Sequence, residues 1–227
     1  PMLQDAILDT IKFFDMFDYP VTAPEIWEHV DRKCGLKEIY QALSKMDRGE
    51  VEAKYGLFFL SGREGLVRKR KRRYNYSGKK IKKVKRVGNI FKYIPGVKMI
   101  AVSNMIGSHN LRYDSDLDIF IITARDRIWA VRFFCVVITA LLRLRPTPNK
   151  QKDKICLNFF LREDRLDIRD LKLENDVYFD YWMTGLMPIY DPEDTFDQLL
   201  QANPWVQERF PNQELGYSGH KTQIHHT

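Results

Sequence analysis

Residues 114–123 read Asp114-Ser-Asp116-Leu-Asp118-Ile-Phe-Ile-Ile-Thr123. Ile119, Phe120, Ile121 and Ile122 are apolar on both faces of a strand, so Leu117 to Thr123 is expected to run through the interior of a sheet. Side chains two apart on a strand share a face, which puts Asp116 and Asp118 together. An interior strand that opens with two acids on one face needs a reason beyond solvation. Two carboxylates at a strand edge beside a loop form a hard-oxygen site suited to Mg²⁺ or Mn²⁺. Magnesium keeps waters and takes one or two carboxylates plus substrate phosphates, so the pair implies a phosphate-bearing substrate, most simply an NTP.

Working outward, Val97 to Ser103 reads as a buried strand and Asn104 to Ser115 as a loop. A helix is expected over Asp126 to Leu144, a loop over Arg145 to Lys150, and a third strand over Ile155 to Leu161. A tight turn at Glu163-Asp164-Arg165 leads into a further strand at Leu166 to Ile168, and Glu174 to Leu186 is helical and rich in aromatics. Tyr178, Phe179, Tyr181 and Trp182 fall where a helix would cover a sheet, so core packing is their expected role. Strand and helix alternate, which gives an α/β (α+β) domain. Ile128 to Leu142 is apolar except for Arg132, but falls short of the roughly 20 residues needed to span a bilayer. A helix buried against the sheet is expected there, and no membrane partner.

The first sixty residues read as three helices and a hairpin. Leu3, Ile7, Ile11 and Phe14 recur at helical spacing, and Tyr19-Pro20 ends that helix. Thr22-Ala-Pro-Glu25 is a capping-box pattern opening a second helix through Ile26, Trp27 and Val30. Leu36 to Met46 is the third. Val51 to Lys54 and Leu57 to Leu60 flank Tyr55-Gly56, a hairpin turn.

Between these parts lies the basic run. Twelve of the nineteen residues from Arg68 to Arg86 are Lys or Arg, and none is acidic. The whole chain of 227 residues has 37 Lys and Arg against 30 Asp and Glu, and taking those twelve charges from its net +7 leaves −5. The sequence pI near 9.2 is therefore local in origin. Phosphate-backbone contact by Arg68, Arg70, Arg72, Arg73, Lys79, Lys80, Lys82 and Lys83 is the functional expectation, with Tyr74 and Tyr76 available to stack on bases. A solvated connecting helix is the alternative, although such a helix usually carries interspersed acids. Ile81, Val84, Val87, Ile90 and Phe91 give its second half an apolar stripe.

With 44% hydrophobic and 13% aromatic residues the chain has material for a core, which excludes disorder, collagen and coiled coil as descriptions of the whole. Cys34, Cys135 and Cys156 are too few and scattered for a disulfide framework or a Cys-x-x-Cys zinc site, and a reducing cytoplasmic compartment fits. Asp5 and Asp9 do not suit a signal peptide, and Pro1 implies a trimmed start or a fragment. His29 and His109 are isolated, and His220, His225 and His226 sit in a polar tail expected to be disordered.

The segment Ser103-Asn-Met-Ile-Gly-Ser-His-Asn-Leu-Arg-Tyr-Asp-Ser-Asp-Leu-Asp-Ile-Phe-Ile-Ile-Thr123 resembles the active-site segment of the polymerase-beta-like nucleotidyltransferase superfamily. The likeness covers roughly residues 97–171. It implies that Asp116 and Asp118 bind the metals, that Ser115 precedes them, and that a Gly-Ser turn about ten residues earlier holds the triphosphate. Two positions compete for that turn. The literal Gly107-Ser108 leaves only seven residues before Asp116, and the family spacing puts Asn104 in the glycine place. Arg112 in the same loop is a phosphate candidate. The family's third carboxylate falls near Asn158, whose amide carbonyl can ligate but cannot act as a base. Asp164 or Asp167 would be the substitute.

The helices and hairpin of the first part resemble a winged helix-turn-helix by order and spacing. That implies DNA contact through the third helix or docking of a protein partner. The whole layout resembles a group of bacterial proteins that carry the nucleotidyltransferase domain, and Asn203-Pro204-Trp205 and Pro211-Asn212 fit that likeness. The expected boundaries are 1–62 for the winged helix, 63–95 for basic connecting helices, 96–212 for the nucleotidyltransferase-like domain with C-terminal helices, and 213–227 for the tail. The implied activity is metal-dependent transfer of a nucleoside monophosphate from an NTP to an acceptor. The competing expectation is a catalytically degenerate relative acting as a nucleic-acid-binding or regulatory module.

Overall fold

The computed structural model describes residues 2–103 and 105–214. The chain is mixed α/β with two sheets and divides into two compact units, each built from more than one segment. The first comprises residues up to 75, 106–110 and 205–214. The second comprises 76–105 and 111–204.

In the first unit α1 (Leu3–Asp15), β1 (Val21–Thr22), α2 (Ala23–His29) and α3 (Leu36–Leu43) precede β2 (Val51–Lys54) and β3 (Leu57–Leu60). The sheet order is β1-β3-β2, antiparallel throughout, and the register runs from Val51 opposite Leu60 to Lys54 opposite Leu57. Tyr55 and Gly56 both have positive φ, 54° and 76°, the geometry that matches a tight hairpin to the twist of its strands. Thr22 opens α2 as expected. Its hydroxyl accepts the Glu25 amide, and the Glu25 carboxylate accepts the Thr22 amide at 2.7 Å. Strand β1 was not foreseen, because two residues are too short to show a period.

Ile7, Ile11, Phe14, Tyr19, Val21, Ile26, Val30, Ile39 and Phe59 fill this core, with Val206 and Phe210 from 205–214. The buried Asn212 closes it. Its Nδ2 donates to the carbonyls of Trp27 and Arg32 at 3.0 and 2.8 Å, and its Oδ1 accepts the Cys34 amide at 3.0 Å.

The basic run lies in a single helix, α4 (Gly65–Phe91), rather than in several connecting helices. Its residues up to 75 belong to the first unit and those from Tyr76 to the second.

The second unit holds a four-stranded sheet of order β6-β5-β4-β7. Strands β4 (Val97–Val102) and β5 (Leu117–Thr123) are antiparallel, β6 (Ile155–Arg162) is parallel to β5, and β7 (Met187–Tyr190) is antiparallel to β4. All seven residues of β5 are buried between two neighbouring strands, as the apolar run required. One sheet face packs Ile100, Val102, Ile119 and Ile121 against Val84, Val87 and Phe91 of α4 and Val131 and Cys135 of α5 (Ile128–Leu141). The other face carries Phe120, which meets Phe159 and Trp182 of α6 (Val177–Thr184) at ring separations of 5.4 and 5.8 Å.

Helix α5 departs from its expectation. Only Val131, Cys135 and Thr139 are buried, while Trp129 is 78% exposed and Phe133 61%. A helix lying on a sheet buries one stripe, and its composition alone does not show how many sides are covered. Leu166 to Ile168 does not form a strand. The Ile168 amide instead donates to Oδ1 of the buried Asn203, whose Nδ2 donates to Leu166 and Leu199. Among the described residues no helix is long and apolar enough to cross a membrane.

Candidate metal centre

Asp116 immediately precedes β5, an interior strand of the sheet, and Asp118 is its second residue. Across the parallel ladder Cys156 of β6 is in register with Asp118. Ligand atoms of Asp116, Asp118 and Cys156 all lie within 4.8 Å of one another. Two donors on one small ion stand at most about 4.5 Å apart, given bonds of roughly 2.0–2.3 Å, so the group needs only a small inward shift to share a cation. The donor chemistry fits a divalent metal. Two carboxylates suit Mg²⁺ or Mn²⁺, and the thiol adds a softer third donor.

Electrostatics show the strain of the arrangement. Burial pushes the Asp116 carboxyl up, the Asp118 charge adds to it, and Lys80 partly offsets it. The Cys156 thiol is pushed up to about 11 by burial, by the two carboxylates and by a hydrogen bond to Asp118. The Tyr178 phenol of α6 is raised by burial and then by the charges of Asp118 and Asp176. A cation would relieve this concentration of negative charge.

The mouth of β5 is tied from several sides. The buried Lys80 donates to the Ser115 carbonyl at 2.5 Å and pairs with Asp153 at 3.2 Å. Lys83 donates to the Asp153 carbonyl at 2.6 Å, and the Asp153 amide donates to the Ser115 carbonyl at 3.1 Å. Ser115 Oγ donates to the Arg112 carbonyl at 3.0 Å. Ser115 is therefore a structural anchor of the strand start, and Lys80 and Lys83 are bonded internally rather than offered to a partner. Arg112 is 68% exposed and makes only a loose pair with the exposed Asp114 at 3.5 Å, so its guanidinium remains accessible.

Asn158 does not occupy the place opposite the acids. The ladder shifts between Ile119 and Phe120, pairing Leu157 with Ile119 and Phe159 with Phe120, which leaves Asn158 exposed at a bulge. The residue beside Asp118 is Cys156, which motif spacing missed because the family pattern asks for a carboxylate. Strand register was the signal that could have found it. Asp164 is held by Arg162 at 2.8 Å, and Asp167 Oδ1 accepts the Arg169 amide at 3.0 Å, so each has a local role.

Gly107 and Ser108 fall in the segment 106–110 of the first unit. Gly107 has φ of +83°, and a Cβ there would lie 2.9 Å from the Tyr19 ring. Close packing thus accounts for the glycine. The Ser108 carbonyl accepts Tyr19 Oη at 3.2 Å, and the His109 ring lies 4.7 Å from that of Tyr74. Asn104 lies outside the described residues, as do His220, His225 and His226.

The basic helix sorts by burial. Arg73 donates to the Phe17 carbonyl and to Asn110 Oδ1, both at 2.7 Å. Arg70 chelates Glu25 at 2.8 and 2.9 Å and stacks over Tyr19 at 4.3 Å. Arg68, Lys71, Arg72, Lys79, Lys82, Lys85 and Arg86 are exposed and make no ion pair among the described residues. Tyr76 meets Tyr113 edge-on at 5.6 Å, so both tyrosines expected to stack on bases have ring partners inside the protein.

Comparisons with protein-family models, with curated proteins and with solved structures returned no match.

Proposed function

We propose that the second unit is a metal-dependent nucleotidyltransferase that moves a nucleoside monophosphate from an NTP to an acceptor. The observation that carries this reading is the same-face pair Asp116 and Asp118 at the start of a fully buried strand, with a third donor from Cys156 within 4.8 Å. The motif Ser115-Asp116-Leu117-Asp118 and the order of strands around it support a polymerase-beta-like fold. The order helix, strand, two helices and two strands in the first unit supports the winged-helix reading.

Asp116 and Asp118 would hold Mg²⁺ or Mn²⁺, with the Cys156 thiol beside them as a donor open to softer ions, and the bound ion supplies charge neutralisation and alignment of attacking and leaving oxygens. An acceptor oxygen forms a bond to the α-phosphorus while the bond from that phosphorus to the bridging oxygen breaks. Pyrophosphate leaves with the electron pair, and the acceptor proton passes to solvent. Lys80, Lys83 and Asp153 hold the Ser115 backbone, which fixes where the two carboxylates emerge. Arg112 supplies a mobile cation for the triphosphate.

Incubation with α-labelled NTPs, Mg²⁺ or Mn²⁺ and a mixture of RNA, protein and small-molecule acceptors tests this. We expect label on one acceptor class with the native chain and none with Asp116→Asn/Asp118→Asn. Absence of label with every metal and NTP overturns the transfer reading. A thiol in place of the third carboxylate would then mark a domain that binds nucleotide without turnover.

A further inference from the structure

The exposed cations of α4 in the second unit have no role in the site described above. Lys79, Lys82, Lys85 and Arg86 are all exposed, and none makes an ion pair among the described residues. At 3.6 residues per turn they fall within an arc of about 120°, over roughly 10 Å of helix. Ile81, Val84, Val87 and Phe91 lie on the opposite arc, in the core. No acidic residue occurs anywhere in α4. Four like charges held on one rigid face repel one another, and no ion pair among the described residues offsets them, so the face is stabilised by a polyanion.

We infer that this face of α4 binds the sugar-phosphate backbone of a nucleic acid, independently of any nucleotide transfer. The surface chemistry selects that partner over two others. A bilayer surface calls for Trp, Phe or Leu among the cations, and the exposed apolar side chain on this part of the helix is Ile90 alone. A protein interface calls for a buried aromatic or aliphatic anchor, which this arc does not offer. Cations without a stacking platform contact phosphates and do not read bases, since Tyr76 is engaged with Tyr113. Binding is therefore independent of sequence and steeply dependent on salt.

The test uses the full chain and fluorescein-labelled RNA and DNA oligonucleotides of mixed sequence, single- and double-stranded, with anisotropy read across a salt series. One variant carries Lys79→Gln, Lys82→Gln, Lys85→Gln and Arg86→Gln together. A control removes the same charge from exposed positions elsewhere, through Lys12→Gln, Arg125→Gln, Arg165→Gln and Arg169→Gln. We expect the α4 variant to lower the slope of log K against log salt by about 3–4 on duplex and about 3 on single strands, the control to change it little, and scrambled sequences to bind alike. An unchanged slope in the α4 variant, an equal loss in the control, or tighter binding to anionic vesicles or to an acidic peptide overturns the inference. Helical circular dichroism confirms that the variant is folded, and the Asp116→Asn/Asp118→Asn chain should bind as the native one does.

Discussion

Cys156 stands opposite Asp118 in the parallel ladder between β6 and β5. This register makes the proposed centre a mixed oxygen and sulfur site, which has consequences for metal choice. Thiolate favours softer ions, while Mg²⁺ prefers oxygen throughout. We expect Co²⁺ to give sulfur-to-cobalt charge-transfer absorption in the native chain and none in Cys156→Ser. Cys156→Asp should tighten Mg²⁺ and weaken Cd²⁺, each by about tenfold or more. Titration calorimetry with each ion checks the exchange. Identical cobalt spectra in native and Cys156→Ser chains would remove the thiol from the metal.

Much of this centre was legible because strand periodicity is a backbone property. The period of two put Asp116 and Asp118 on one face, and the apolar run made β5 interior. The limits of β5 agree with those read from the sequence. Register between strands is not written into either strand alone, so neither the bulge that displaces Asn158 nor the approach of Cys156 was visible. Strand β7 was missed because Met187-Pro-Ile-Tyr190 is short and contains proline, which an edge position tolerates. The basic run was legible as a helix, but which cations turn inward depended on acids distant in sequence. Glu25 captures Arg70 and Asp153 captures Lys80, and neither pairing leaves a local pattern.

The Arg70 pair gives a stability test within the first unit. The Glu25 carboxylate accepts two bonds from Arg70, takes the Tyr19 hydroxyl at 2.5 Å and closes the α2 capping box. Removing the guanidinium strands a carboxylate with little solvent. Arg70→Ala should cost about 3–5 kcal/mol, read by urea denaturation. Arg70→Ala/Glu25→Gln should recover part of that loss, because the stranded charge is gone. A loss below about 1 kcal/mol in Arg70→Ala would mean the pair is solvated.

Glu28 makes the stability of the first unit depend on pH. Burial and the nearby Glu25 charge raise its carboxyl from 4.5 to about 7. A folded-state value above the unfolded one means the folded form holds the proton more tightly. Its contribution is fully present below about pH 4.5 and is lost as pH rises through about 7. Burial holds the His29 imidazole below its usual range, which opposes folding on the acid side, and this effect is common to the native chain and the variant. Glu28→Gln should therefore stabilise the protein by about 1–3 kcal/mol at pH 8 and have little effect at about pH 4, read as the difference in urea midpoints. An equal difference at both pH values would show that Glu28 titrates normally.

The outer face of α5 separates solubility from stability. Trp129, Phe133 and Leu141 are 78%, 61% and 77% exposed, and the side chains that hold the helix on the sheet are Val131, Cys135 and Thr139 on its other side. Exposed apolar side chains that make few contacts add little to folding, yet a contiguous apolar patch promotes association. Trp129→Gln/Phe133→Gln should leave the urea midpoint within about 0.5 kcal/mol of the native chain while lowering dye binding and light scattering at high concentration. Val131→Ala on the buried side should do the reverse, costing about 1–3 kcal/mol by cavity formation with no gain in solubility. If the outer pair proves as destabilising as Val131→Ala, the outer face is packed in solution and the two sides of α5 are energetically alike.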